Sequence, residues 1–260
     1  MCTESAHPLD RRPVPGWIDD ANFGWRGRIG VIYPSIGRTP EHEWWRMLPR
    51  GVTLHITRVM FRATSVEELE RIGGLAEEAA KLVATARPDV ICFACTTGTM
   101  IKGIEYDRQL NRRLTEITGI PATSMAEGAV EGLKAVGAHR LAVATAYIDE
   151  INEHERKFLQ DCGFEVQLIE GLQMTDSIKI ADVSPGEVYR FARDVYRRAA
   201  DADAILISCG SLRTLEIVSE LEMDTGKPVV SSNIAQLWIA LRKLGIGEPI
   251  PGFGRLMQMV

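Results

Sequence analysis

The chain has 260 residues, a formal net charge of −5, 45% hydrophobic and 25% charged residues. This length allows one large domain or two small ones, and the composition is typical of a globular protein. The negative charge predicts neither a nucleic-acid surface nor an anionic-membrane surface. No stretch reaches the roughly 20 apolar residues of a membrane span, and the N-terminus lacks a signal-peptide pattern. We therefore expect a cytoplasmic protein with a small-molecule ligand.

The five cysteines are irregularly spaced, which favours reduced thiols over a disulfide framework. Cys92 and Cys95 form a C-x-x-C motif, but most of that motif lies inside an apolar run that reads as a strand. In redox enzymes the motif starts a helix, so a redox role is disfavoured. No histidine or cysteine spacing is typical of a metal site. We expect neither a metal nor another cofactor.

Predicted strands and helices alternate along the chain. The strands are expected at 28–33, 52–60, 90–94, 120–124, 141–145, 164–170, just before Cys209, and at 228–231. The helices are expected at 40–48, 65–87, 102–118, 126–136, 148–162 and 184–200, with two more ending near 225 and 244. This alternation predicts an α/β fold with mainly parallel sheets and helices on both faces.

Three stretches recur in the same order at a separation of about 110 residues, which indicates an internal duplication. They pair 28–34 with 140–146, 88–100 with 202–212, and 118–124 with 225–231. We expect two pseudo-symmetric doubly wound domains, each with about four strands, and an active site in the cleft between them. The boundaries are expected at 1–27 for an N-terminal arm, 28–138 and 139–231 for the domains, and 232–260 for a C-terminal helix and tail that cross back to the first domain.

The duplication places one cysteine, Cys95 or Cys209, at the equivalent strand end of each half. Open α/β sheets bind ligands at the carboxyl ends of their strands. A helix N-terminus at that place favours an anion and lowers the pKa of a thiol. A single buried cysteine is an ordinary core residue. Core packing gives no reason to repeat one at equivalent positions, so we predict two thiols that face each other as catalytic groups.

Polar and small residues beside the two thiols complete the predicted site. Thr96 and Thr97 are expected both to cap a helix and to hold a carboxylate with their hydroxyl groups. Tyr147 follows a strand, where its phenol either reaches the cleft or is half-buried in the core. The analogous loops carry Ser35, Gly210 and Ser211.

The chain resembles the aspartate/glutamate racemase superfamily, within the branch of arylmalonate decarboxylase and maleate cis-trans isomerase. The resemblance extends from Ile29 to Leu256, and its most specific segments are Ala142–Glu153, Leu206–Gly210, Gly226–Ser232 and Pro251–Arg255. It implies a cofactor-independent enzyme that stabilises an enolate-like intermediate between two pseudo-symmetric domains.

The resemblance also implies roles for individual residues. Thr96, Thr97 and Tyr147 match the dioxyanion hole that holds the carboxylate in the decarboxylase. Cys209, next to Gly210, matches its proton-donating cysteine. In the loop after the first strand, Pro34 and Ser35 match the corresponding loop of the decarboxylase.

Two departures from the resemblance bear on the reaction. The decarboxylase has a glycine where this chain has Cys95, whereas racemases and maleate isomerase carry cysteine at both places. Maleate isomerase has an asparagine at the position of Gly37 and another near Ser177. The first departure favours racemisation or isomerisation, and the second argues against maleate itself.

We therefore expect a racemase or isomerase that acts next to a carboxylate through an enediolate, with Cys95 and Cys209 as its acid and base. Decarboxylation and maleate isomerisation are the alternatives, and so is covalent addition of Cys95 to the substrate. A carboxylate-binding protein without activity is the non-enzyme alternative. A homo-oligomer is left open.

Overall fold

Two four-stranded parallel sheets form the framework of the computed structural model, which describes residues 24–63, 65–199 and 201–260. In the first sheet the strand order is β2-β1-β3-β4, with β1 at Gly27–Pro34, β2 at Val52–Val59, β3 at Val90–Phe93 and β4 at Ala122–Ser124. In the second sheet the order is β6-β5-β7-β8, with β5 at Arg140–Thr145, β6 at Glu165–Gly171, β7 at Ala204–Ser208 and β8 at Val229–Ser231. The identical order of the two sheets matches the duplication, and the α/β fold prediction is confirmed.

The helices connect successive strands, as parallel pairing requires. They are α1 at Thr39–Met47, α2 at Val66–Ala84, α3 at Thr96–Met100, α4 at Ile104–Thr118, α5 at Met125–Ala135, α6 at Asp149–Asp161, α7 at Ser177–Asp182, α8 at Pro185–Arg198, α9 at Val218–Thr225 and α10 at Ser232–Lys243. A 3₁₀ turn follows at Leu256–Gln258. Within the described residues, no helix combines the length and apolar character needed to span a membrane.

Serine caps begin several helices as expected. The Ser65 side chain accepts a hydrogen bond from the Glu68 amide at the start of α2. Ser184 and Glu187 form a complete capping box in front of Pro185 at the start of α8. These local hydrogen bonds satisfy amides that have no partner inside the helix.

Two short helices differ from the sequence-based expectation. Helix α3 is separate from α4 because Gly103 between them has a φ of +85°, which no continuous helix contains. Helix α7 begins where the Asp176 carboxylate accepts hydrogen bonds from the amides of Ile178 and Lys179. With only six residues, it is too short to show a helical period in the sequence.

The C-terminal helix α10 packs against α5 of the first half. A Cβ atom at Gly128 would lie 2.9 Å from the Cα atom of Gln236, so only a glycine allows this approach. The Gln236 side-chain amide also donates to the carbonyl of Phe93, at the end of β3, over 3.0 Å. Helix α10 therefore contacts the first sheet at the strand that leads to Cys95. Of the expected N-terminal arm, 1–27, residues 1–23 lie outside the described residues.

Candidate active site

A cavity lies where strands of the two sheets end. Residues from both halves of the chain line it. This position agrees with the rule that parallel sheets bind ligands at the carboxyl ends of their strands. The lining residues are Tyr33, Pro34, Ile36, Gly37, Phe61, Ala94, Cys95, Thr96, Thr97, Tyr147, Ser177, Cys209, Gly210 and Ser211. The cavity therefore brings together both thiols and all the other sequence-predicted site residues except Ser35.

Ser35 serves the backbone instead of the cavity. Its Oγ accepts a hydrogen bond from the Phe61 amide over 3.1 Å and lies 3.3 Å from the Phe61 carbonyl, to which it donates. These bonds join the loop after β1 to the segment after β2. Pro34 and Phe61 both line the cavity, so the Ser35 hydrogen bonds fix two of its lining segments relative to each other.

Cys95 occupies the N-cap position of α3 and is only 7% exposed. The Gly98 amide faces its sulfur and acts to lower the pKa of the thiol. A Cβ atom at position 98 would lie 2.9 Å from that sulfur, so the glycine allows the thiol to pack onto the helix backbone. The first turn of α3 thus holds this thiol in one orientation.

Cys209 follows β7 directly and is 6% exposed. Its sulfur accepts a hydrogen bond from the Ser211 amide over 3.4 Å, whereas the Leu212 amide donates to the Cys209 carbonyl over 3.1 Å. The Tyr147 hydroxyl faces the sulfur and acts to lower the pKa of the thiol. The second thiol therefore lies among more hydrogen-bond donors than the first.

Burial dominates the acidity of both thiols. It raises the pKa of Cys95 to about 12, more than the Gly98 amide lowers it. Burial also raises the pKa of Cys209, in spite of the donors around its sulfur. The sequence-based expectation of a lowered thiol pKa is therefore wrong. Helix α3 has only five residues, so its dipole is small, while loss of water around the sulfur disfavours the thiolate strongly.

The hydroxyl groups predicted to hold a carboxylate are buried in the same cavity. Thr96, Thr97 and Tyr147 are each at most 4% exposed. Thr96 Oγ1 donates to the sulfur of Met125 over 2.9 Å, and a thioether is a weak acceptor that a ligand oxygen can replace. Burial raises the pKa of Tyr147 well above its ordinary value, so its phenol remains a proton donor.

A model of the arylmalonate decarboxylase family matches residues 29–257 of the chain. The chain belongs to the arylmalonate decarboxylase family. Arylmalonate decarboxylase from Bordetella bronchiseptica is 36% identical over 170 residues, which cover 65% of this chain and 71% of that protein. Maleate isomerase from Pseudomonas putida is 29% identical over 243 residues, covering 89% of this chain and 97% of that protein. The predicted branch of the racemase-like superfamily is thereby confirmed.

Solved structures of the same branch share the fold. Maleate isomerase from Pseudomonas putida S16, in a cysteine-to-alanine variant with maleate, superposes with a TM-score of 0.85 at 28% identity and covers 90% of this chain and 98% of its own. A cysteine-to-serine variant of the Nocardia farcinica maleate cis-trans isomerase, with a covalently bound succinylcysteine intermediate, has a TM-score of 0.83 at 27% identity, covering 89% and 98%. Isomerases and decarboxylases therefore both occur among the relatives of this family member.

Sequence reasoning did not select several lining residues of this arylmalonate decarboxylase family member. They are Tyr33, Ile36, Phe61 and Ala94, whereas Gly37 and Ser177 were marked by the resemblance only as positions near asparagines of maleate isomerase. Tyr33 lies near the carboxyl end of β1, and this position is a signal that could have identified it. Phe61 comes from the segment that follows β2, and no motif marked it as a site residue.

Among the described residues, no Lys, Arg, Asp or Glu side chain lines the cavity. In the described part of the chain, no group of three or more His, Cys, Asp or Glu side chains is arranged to hold a metal ion. An anionic ligand in this cavity would therefore be held by hydroxyl, thiol and backbone donors. The side chains present favour proton transfer and thiol addition.

The raised thiol pKa values predict slow alkylation of the free protein. Iodoacetamide should modify Cys95 and Cys209 slowly at pH 7, because only the thiolate reacts. Because both pKa values are raised, the alkylation rate should increase with pH. The thiolate fraction should increase about tenfold per pH unit, without a plateau below about pH 9. Peptide mass spectrometry would follow each cysteine, with the less buried Cys162 as an internal control. A plateau near pH 7 at either cavity cysteine would contradict this assignment of protonation state.

Proposed function

We propose that the chain is a cofactor-independent isomerase of a small carboxylate, with Cys95 and Cys209 as its reacting groups. The observation that carries the proposal is that one cavity contains a thiol from each pseudo-symmetric half together with buried hydroxyl donors. Isomerases are among the relatives, and they are similar to this chain over most of its length. Its cytoplasmic location and self-association stay predictions.

The carboxylate binds at Thr96, Thr97 and Tyr147. A carboxylate accepts up to about four hydrogen bonds, and three neutral hydroxyl groups can supply most of them. When charge moves from the reacting carbon onto this carboxylate, the same donors bind the resulting enediolate more strongly. Binding that strengthens in the transition state accelerates the reaction.

Cis-trans isomerisation is the first candidate reaction, and the succinylcysteine seen in the Nocardia enzyme favours it. In the small fraction of molecules in which the Cys95 thiol has released its proton to solvent, the thiolate donates an electron pair to one alkene carbon and forms a C–S bond. The π pair moves onto the other carbon and its carboxylate, which becomes an enediolate. Rotation about the new single bond follows, and the enediolate then expels the thiolate to form the trans alkene. Protonation of the enediolate by the Cys209 thiol would give the saturated adduct reversibly.

Racemisation is the second candidate reaction, and the pseudo-symmetric origin of the two thiols favours it. One thiolate removes the proton next to the carboxylate, and the electron pair passes into the carboxylate as an enediolate. The opposite thiol then donates its proton to the other face of the same carbon. Decarboxylation is disfavoured, because Cys95 occupies the place of the glycine in the decarboxylase.

A substrate screen in deuterated water distinguishes these reactions. Proton NMR should show conversion of maleate, or of a cis-alkene monocarboxylate, to its trans isomer if thiol addition operates. Deuterium exchange and loss of optical rotation in an α-substituted acid would instead support racemisation. Release of carbon dioxide from a disubstituted malonate would support decarboxylation. Saturable binding without any of these reactions would contradict an enzymatic role and support a carboxylate-binding protein.

A further inference from the structure

Tyr33 carries a buried hydroxyl group that the proposed chemistry does not use. The residue is 3% exposed and lines the cavity, yet its hydroxyl has no hydrogen-bond partner among the described residues. Buried polar groups are normally satisfied, so a group without a partner in a ligand cavity points to a ligand atom.

The Tyr33 ring is held in place from two sides. A Cβ atom at Gly37 would lie 2.5 Å from the Tyr33 hydroxyl and 2.8 Å from the ring carbon Cε1, so the phenol occupies the space of a side chain at position 37. The Arg58 guanidinium lies 5.3 Å from the ring centroid, within the range of a cation–π contact. Arg58 is itself bonded to the Gly37 carbonyl over 2.8 Å and to Glu41 over 2.5 Å. The hydroxyl therefore has one preferred direction.

Tyr33 lines the same cavity as the two reacting thiols, Cys95 and Cys209. Burial raises the pKa of Tyr33 well above its ordinary value, and the neighbouring Cys209 and Cys95 sulfurs raise it further. The phenol thus stays protonated and can donate a hydrogen bond near both thiols. It extends from β1, whereas Thr96 and Thr97 follow β3, so it reaches the cavity from a different strand.

We propose that Tyr33 is a substrate-binding residue that donates a hydrogen bond to a second acceptor oxygen of the substrate, separate from the carboxylate held at Thr96, Thr97 and Tyr147. This inference rests on the proposed function, because it assumes that a small carboxylate occupies the cavity. It assigns the substrate to the class of compact acids with an oxygen acceptor, carboxylate or carboxamide, at each end. A monocarboxylate with an apolar end would leave the phenol unpaired and bind less well.

The test compares three four-carbon ligands that differ at one end only. Succinate ends in a carboxylate, succinamate in a carboxamide and butyrate in a methyl group. Isothermal titration calorimetry of the full chain measures affinity without turnover, so the result does not depend on which reaction the enzyme catalyses. The wild type should bind succinate or succinamate at least about tenfold more tightly than butyrate, as expected for a hydrogen bond to an anionic or strongly polar acceptor. Whichever of the two binds more tightly identifies the second acceptor.

Tyr33→Phe removes the hydroxyl and keeps the ring. It should reduce the preference over butyrate to within about threefold and leave butyrate affinity nearly unchanged. Tyr106→Phe is the matched control, because that phenol also fills the space beside a glycine, Gly73, and has a cation, Lys102, 4.8 Å from its ring. Tyr106 does not line the cavity, so its variant should keep the wild-type preference.

Gly37→Ala provides a second variant in case Tyr33→Phe folds poorly. The added methyl group would displace the phenol without removing it, and the same preference should fall. An unchanged preference in a folded Tyr33→Phe protein would overturn the proposal. Equal binding of all three ligands by the wild type, or binding of none, would overturn it as well. Turnover in the substrate screen together with an unchanged Tyr33→Phe preference would remove this inference and leave the proposed function intact.

Discussion

Replacing either cavity thiol by a hydroxyl, in Cys95→Ser or Cys209→Ser, is expected to lower turnover on the order of 10²–10⁴-fold, the usual contribution of a positioned acid, base or nucleophile. Serine has nearly the same shape, so the fold and the hydrogen bonds around the site should persist. A hydroxyl group, however, is far less acidic than a thiol, and its ionised form is not accessible in a buried cavity. Steady-state kinetics on the substrate found in the screen would measure the loss.

The two variants should differ in what they retain. In cis-trans isomerisation, Cys95→Ser should form no covalent adduct, whereas Cys209→Ser should still form one, detectable as a mass increase of the intact protein. In racemisation, each variant should lose inversion but keep exchange of the α proton of one enantiomer through its surviving thiol. Cys162→Ser is the control, because Cys162 does not line the cavity. Wild-type turnover in either cavity variant would remove that cysteine from the mechanism.

Replacing Glu43 by alanine is expected to lower the free energy of unfolding by about 3 kcal/mol or more, since each buried donor left unpaired costs about 1–3 kcal/mol. Glu43 lies on α1 and is 2% exposed. Its carboxylate accepts hydrogen bonds from the amides of Thr214 and Leu215 over 2.6 and 2.9 Å, and from Asn233 Nδ2 over 2.7 Å. Urea denaturation would measure the change.

Glu43 also positions the loop that carries Cys209. Asn233 Nδ2 donates to the Gly210 carbonyl over 3.2 Å as well as to Glu43, and Thr39 on α1 donates to the Ser211 carbonyl over 2.8 Å. Without the carboxylate this loop should move relative to the first half. Turnover should therefore fall, and the pH dependence of Cys209 alkylation should change as well. A loss of stability alone would leave that pH dependence unchanged in the folded fraction.

Two further variants serve as controls for Glu43. Glu43→Gln keeps one acceptor oxygen for the Thr214 and Leu215 amides but places an NH₂ group opposite Asn233, so its loss of stability should be smaller. Glu216→Ala breaks an exposed ion pair with Arg46, which links the same helix to the same region, and should cost less than about 1 kcal/mol. A Glu43→Ala protein as stable as Glu216→Ala would show that the buried carboxylate does not hold the two halves together.

Much of the fold could be predicted because its signals are local. Apolar runs such as 90–94 and 204–208 are bounded by turn residues, and serine caps mark several helix starts. The repeated stretches predicted two equivalent halves, and the two sheets indeed have the same strand order. Helix α7 was missed, because six residues with a capping aspartate carry almost no periodic signal.

The sequence by itself determined which residues end the strands: an apolar run followed by small polar residues placed Cys95 and Cys209 at equivalent points in two halves. Only the tertiary structure decided what surrounds them. Ser35 bonds to Phe61 instead of lining the cavity, Tyr33 enters it, and Glu43 reaches the Cys209 loop from the other half. Burial by segments distant in sequence also raises the pKa of both thiols. The water around a side chain and the atoms that replace it depend on distant segments that pack over it, and no local pattern records them.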